Sequence, residues 1–164
     1  MSDITVVASD ERSVATELPV DLGRWAALAE AALTTEGAVG ELTLTFVDDD
    51  EIAELNAEYM GKEGPTDVLS FPIDDDDAPS LPGVPTLLGD IVISASAADR
   101  QCGEHAGTYD DELALLVVHG VLHVLGHDHA EPDETALMRS RERALLEAHH
   151  WNGPVPSAFR HDHD

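Results

Sequence analysis

The sequence predicts a small mixed β-sheet covered by helices, built as one domain, and three observations carry that prediction. First, 164 residues of which 43% are hydrophobic are about one domain's worth of chain and can bury a single core of ordinary size. Second, residues 41–47, "ELTLTFV", alternate Leu42, Leu44 and Phe46 with Thr43 and Thr45, the period of a strand with one buried and one wetter face. Third, residues 113–125, "LALLVVHGVLHVL", are apolar on every face, so this helix runs through the middle of the fold.

The elements follow in order. Residues 4–9, "ITVVAS", read as a strand. A helix then places Leu22, Trp25, Ala29 and Ala32 on one stripe before Gly37 stops it. After the alternating strand, Asp48 is placed to cap a helix with Glu51 three residues on. Ile52, Leu55 and Tyr59 form the inner stripe of that helix, which ends near Gly61. "GPTDVLSFPI" (64–73) is a turn leading into a short strand closed by Pro72, in which Asp67 accepts backbone N–H groups while Val68, Leu69 and Phe71 fill the core. The acidic, proline-rich residues 74–86 read as a mobile loop, and "LLGDIVIS" (87–94) as another strand. Three helices close the chain, the first from Ala95 to about His105, the second from Asp110 to Leu125, the third from Asp133 to about His150. The order β-α-β-α-β-β-α-α-α, without repeat or linker, places residues 1–157 in one domain and leaves 158–164 as a flexible C-terminal tail.

Composition limits the partners. No basic region followed by an apolar run opens the sequence, and the longest apolar segment is too short to span a bilayer, so a soluble cytoplasmic protein without membrane contact is expected. The lone Cys102 allows no internal disulfide. Asp and Glu number 34 against 8 Lys and Arg, a formal charge of −26, and Lys62 is the only lysine. Such a surface opposes sequence-blind nucleic-acid binding, which relies on several phosphate contacts, and points to protein partners or a salt-rich cytoplasm. The run at 74–77, "DDDD", lacks the alternating ligands and central glycine of an EF-hand loop. "RSRER" (139–143) reads as a solvated helix face paired with Glu142 and Glu147.

The histidines decide the chemistry. His119 and His123 are four apart, so their rings share one helix face with Cβ atoms about 5–6 Å apart, within reach of one metal ion. Gly126 supplies a left-handed helix stop that lets the chain turn back and offer His129 to the same point. Asp128 is placed to orient a ligand imidazole, and His127 points elsewhere. Three nitrogens leave a fourth position open for water, whose pKa a zinc ion lowers to about 7, so the expected single zinc ion is hydrolytic rather than structural. His105, His149, His150 and the terminal "HDHD" are the side chains that could close that position. The spacing also occurs in metzincin peptidases, but their general-base glutamate follows the first histidine, where this chain has Gly120.

"HGVLHVLGHDH" (119–129), with "GPTDVLSFP" (64–72) and "LLGDIVIS" (87–94), resembles the YbeY family of rRNA maturation factors over nearly the whole chain. The resemblance implies an α+β fold with a mixed sheet and a zinc-like ion on His119, His123 and His129. It also implies metal-dependent cleavage of single-stranded RNA, in 16S rRNA 3′-end maturation and ribosome quality control. The small ribosomal subunit, with ribosomal or assembly proteins, is then the partner. Many such proteins carry an arginine where this chain has Met60 in "YMGK", leaving Lys62 as the candidate to offset charge on a phosphodiester. Ser70 and Asp90 are the candidates for contact with substrate in the cleft. The rival readings are a non-catalytic ribosome-assembly factor braced by a structural metal and, weakened by Gly120, a metallopeptidase.

Overall fold

The computed structural model describes residues 4–12, 20–64, 66–72, 87–104, 106–126, 131–156 and 159. Four strands, β1 (Ile4–Asp10), β2 (Gly40–Val47), β3 (Val68–Pro72) and β4 (Leu87–Ser94), form one sheet in the order β1-β2-β4-β3. β1 and β4 both run parallel to β2, whereas β3 runs antiparallel to β4. The mixed sheet and its helical cover match the α+β expectation, and all nine elements read from the sequence are present.

Strand parity sorts the core. Leu42, Leu44 and Phe46 of β2 and Ile91 and Ile93 of β4 face the larger core, with α1 (Leu22–Thr35), α4 (Tyr109–Val124) and α5 (Pro132–His149). Val47, Leu69 and Val92 face the other way, onto Ile52 of α2 (Asp49–Leu55). α4 is the centre of the larger core: from Glu112 to Val124 every residue except His123 is buried. At about 1.5–3 kcal/mol for each large apolar side chain removed from water, this packing outweighs any local helix preference. Caps then fix the starts. Asp21 accepts from the backbone N–H of Arg24, Ser94 from that of Ala97 at the start of α3 (Ala95–Gln101), and Thr108 from that of Asp111. Asp48 does occupy the cap of α2, but its side chain makes no capping bond.

One element departs from expectation. Past Leu55 the helix widens into a π-helical turn, Asn56–Met60, that ends at Gly61 with φ +67°. The wider turn, bonding i to i+5, rotates later residues relative to the α-helical stripe. Ile52 remains fully buried, yet Tyr59 is 60% exposed and rests edge-on against Phe71, so it is not part of an inner stripe. Asn56 turns inward instead and donates from Nδ2 to the Gly64 carbonyl at 3.0 Å. α3 is also shorter than expected, giving way at Cys102 to a 3₁₀ turn. The loop expected at 74–86 lies outside the described residues. Phe159, in the stretch expected to be a tail, packs on Trp151 with ring centroids 5.0 Å apart.

Candidate active site

A cleft of about 310 Å³ opens between α4, β3 and the π-helical turn. Its lining includes His119, His123, Ser70, Asn56, Met60 and Lys62. α4 brings the two histidines together through helical spacing alone, with ring centroids 5.6 Å apart and the planes tilted by 60°. Where α4 ends, the N–H of Gly126 reaches the His123 carbonyl at 3.0 Å and Gly126 itself takes φ +103°, the left-handed conformation expected of the stop. His127, Asp128 and His129 follow directly and lie outside the described residues, as does His105.

β3 forms the opposite wall, and its register decides which side chains reach the cleft. Ser70 pairs with Ile91 and Phe71 with Asp90. Residues directly opposite in a ladder share a face, so Ser70 looks toward α4 while Asp90 and Phe71 look away from it. Asp90 therefore does not join the histidines. It lines a separate groove of about 400 Å³ on the other side of the sheet, with Glu51, Tyr59 and Phe71. The turn before β3 is held as the sequence predicts: Asp67 accepts from the Val68 N–H at 2.8 Å and from Gln101 Nε2 at 2.8 Å. Gln101 Nε2 also donates to the buried Glu112 at 2.7 Å, which ties the turn to α4. Val68 and Phe71 are only partly buried, leaving Leu69 as the core residue of the strand.

The residue sequence reasoning missed is Glu142. Expected on a solvated basic face, it is 1% exposed, and its Oε2 lies 3.0 Å from Nδ1 of His119. The signal was present: Met138, Leu145 and Leu146, at i−4, i+3 and i+4, are all buried, so Glu142 sits on the inner stripe of α5. The basic residues around it do pair outward, Arg141 with Glu36 and Arg143 with Glu147. His149 and His150 are engaged elsewhere, with Thr35 and with Asp111 respectively. Asp111 lies about 12 Å before His119 along α4, at roughly 1.5 Å per residue.

Comparison with known proteins identifies the family. A sequence model of the family described as Endoribonuclease YbeY matches residues 8–150. The chain belongs to the YbeY family. Endoribonuclease YbeY of Paramagnetospirillum magneticum is 42% identical over 127 residues, 77% of this chain and 77% of the relative. That of Moorella thermoacetica is 47% identical over 123 residues, covering 71% of this chain and 79% of its own. The solution structure of a Thermotoga maritima protein superimposes with a TM-score of 0.57 at 26% identity, covering 88% of this chain and 87% of that one.

Membership in the YbeY family sits well with the residue after the first histidine. A Cβ built on Gly120 would lie 2.7 Å from Cγ2 of Ile91, so α4 rests against the sheet at this position. A peptidase glutamate there would have to displace the buried Ile91. The YbeY fold in this chain thus uses the position for packing. Among the described residues, no helix is long and apolar enough to cross a membrane.

Proposed function

We propose that this YbeY-family endoribonuclease cleaves single-stranded RNA during 3′-end maturation of small-subunit rRNA and in ribosome quality control, with one zinc ion held by His119, His123 and His129. The observation that carries the reading is the pair of adjacent imidazoles on the wall of a cleft, with a helix stop directly beyond them. Neutral imidazole is a common metal ligand and binds zinc through either ring nitrogen. The pair fits such an ion, because a buried carboxylate engages Nδ1 of His119, and ligating histidines usually give their other ring nitrogen to a carboxylate or carbonyl. When bound, zinc supplies a Lewis acid that offsets charge on phosphodiester oxygens.

The rest of the cleft suits a phosphodiester backbone. Lys62 is its cation, taking up part of the task for which Met60 provides no charge. Ser70 supplies a hydroxyl donor on the β3 wall. Asp128, next to His129, orients a ligand ring. With a charge of −26 and a single lysine, the chain gains little from general phosphate attraction. Ribosomal or assembly proteins, in a cytoplasmic complex with the small subunit, therefore bring the RNA to it.

Metal content and cleavage of a single-stranded RNA, measured together on the parent and on His123→Ala, test this reading. Zinc should co-purify with the parent, and chelation should abolish cleavage; His123→Ala should lose both. Cleavage that survives chelation and the substitution would overturn it. Chelation that unfolds the chain, or spares its role in ribosome maturation, would favour an assembly factor with a structural metal.

A further inference from the structure

We propose that Glu142 is a positioning residue. It accepts the Nδ1–H of His119 and so turns the lone pair of Nε2 on that ring toward the cleft. The proposal rests on the metal reading above for its purpose, but its geometry stands alone. A neutral imidazole carries one proton, and which nitrogen holds it is set by the partner of the other. Here Oε2 of Glu142 lies 3.0 Å from Nδ1, and the two side chains are 2% and 8% exposed. An ionised carboxylate only accepts, so with the proton on Nε2 the Nδ1 lone pair would face the carboxylate lone pairs with little water to relieve the repulsion. With the proton on Nδ1 the contact becomes a charge-assisted bond, roughly twice as strong as a neutral one.

The carboxylate is itself held in place. Met138, Leu145 and Leu146 are buried around it on α5 and press that face of the helix against α4. The bond thus crosses from one rigid helix to another and fixes ring rotation as well as proton position. The chain places an acid 23 residues downstream of the histidine in this role, in addition to the nearby Asp128 anticipated from sequence.

The metal-free protein, labelled with ¹⁵N in its histidines, tests the proton position by imidazole NMR at a pH where His119 is neutral. The parent should show His119 as a single Nδ1–H tautomer. Glu142→Gln, nearly the same shape, can either accept from or donate to Nδ1 and should give a mixture or the other tautomer. Zinc affinity, measured by competition with a chelator well below the melting temperature, should fall roughly 10- to 100-fold in Glu142→Gln, with partial recovery in Glu142→Asp. A merely structural glutamate would lower the melting temperature without moving the tautomer or the zinc affinity. That result, or a parent His119 protonated on Nε2, would overturn the proposal. Should the parent take up no zinc, the metal reading falls while the tautomer still decides what Glu142 does.

Discussion

At Gly120 a missing methyl group sets how closely α4 approaches the sheet. Gly120→Ala gains about 1 kcal/mol of helix propensity but forces a Cβ to within 2.7 Å of the fully buried Ile91. Overpacking of that kind costs about 1–3 kcal/mol, so net destabilisation is expected, measured as a lower urea midpoint with an unchanged slope. Ile91→Ala should make the same substitution at Gly120 cheaper, because the two residues touch and their effects do not add. Lys62 belongs to the same scale. Lys62→Ala should slow RNA cleavage about tenfold, equivalent to about 1.4 kcal/mol in the barrier, while leaving the melting temperature close to that of the parent. Unchanged cleavage would remove Lys62 from the site.

Among the elements, α2 shows how a surface helix is anchored by its first turn. Asp49 accepts from Ser94 Oγ at 2.8 Å and pairs with Arg100 at 2.6 Å, linking α2 to the end of β4 and to α3. Hydrogen bonding from Arg100, opposed by burial and helped by Ser94, holds the Asp49 carboxyl below its ordinary value of 3.8. A depressed carboxyl contributes stability that is present above the unfolded value and lost as pH falls through the folded one. Arg100 is about half exposed, so Arg100→Ala should cost no more than about 1 kcal/mol at neutral pH. The gap between parent and variant in urea unfolding should begin to narrow as pH falls past about 3.8 and close only below the lower folded value; a gap of the same size at low pH would show that the pair is not its source. The element that follows, the π turn, moves Tyr59 out and Asn56 in and thereby completes one wall of the cleft.

For the whole molecule the governing quantity is charge. With 34 acids against 8 Lys and Arg, self-repulsion opposes the compact state at low ionic strength. Screening shortens from roughly 8 Å in 0.15 M salt to roughly 3 Å at 1 M. The melting temperature should therefore climb as KCl is raised to molar concentration, each kcal/mol being worth about 2–4 °C for a domain of this size. Cleavage activity should be retained in the same range, because a chain with a charge of −26 has little general attraction to phosphate for salt to screen away. A melting temperature indifferent to salt would mean that the acids are neutralised locally, as Asp10 is by Arg12 and Asp49 by Arg100.

Much of this arrangement was legible in the chain because it depends on local periods. The alternation in β2, the four-residue spacing of His119 and His123 and the stop at Gly126 are each set by residues within one or two turns of one another. The packing of separate elements decided the rest. Whether Ser70 or Asp90 faced the histidines depended on the register of β3 against β4, where one residue's shift reverses every side chain. Which acid met His119 depended on how α5 lies against α4, bringing Glu142 across 23 residues of sequence. Spacing could bring two rings to one helix face, but only tertiary contact could supply the carboxylate behind one of them and the wall in front.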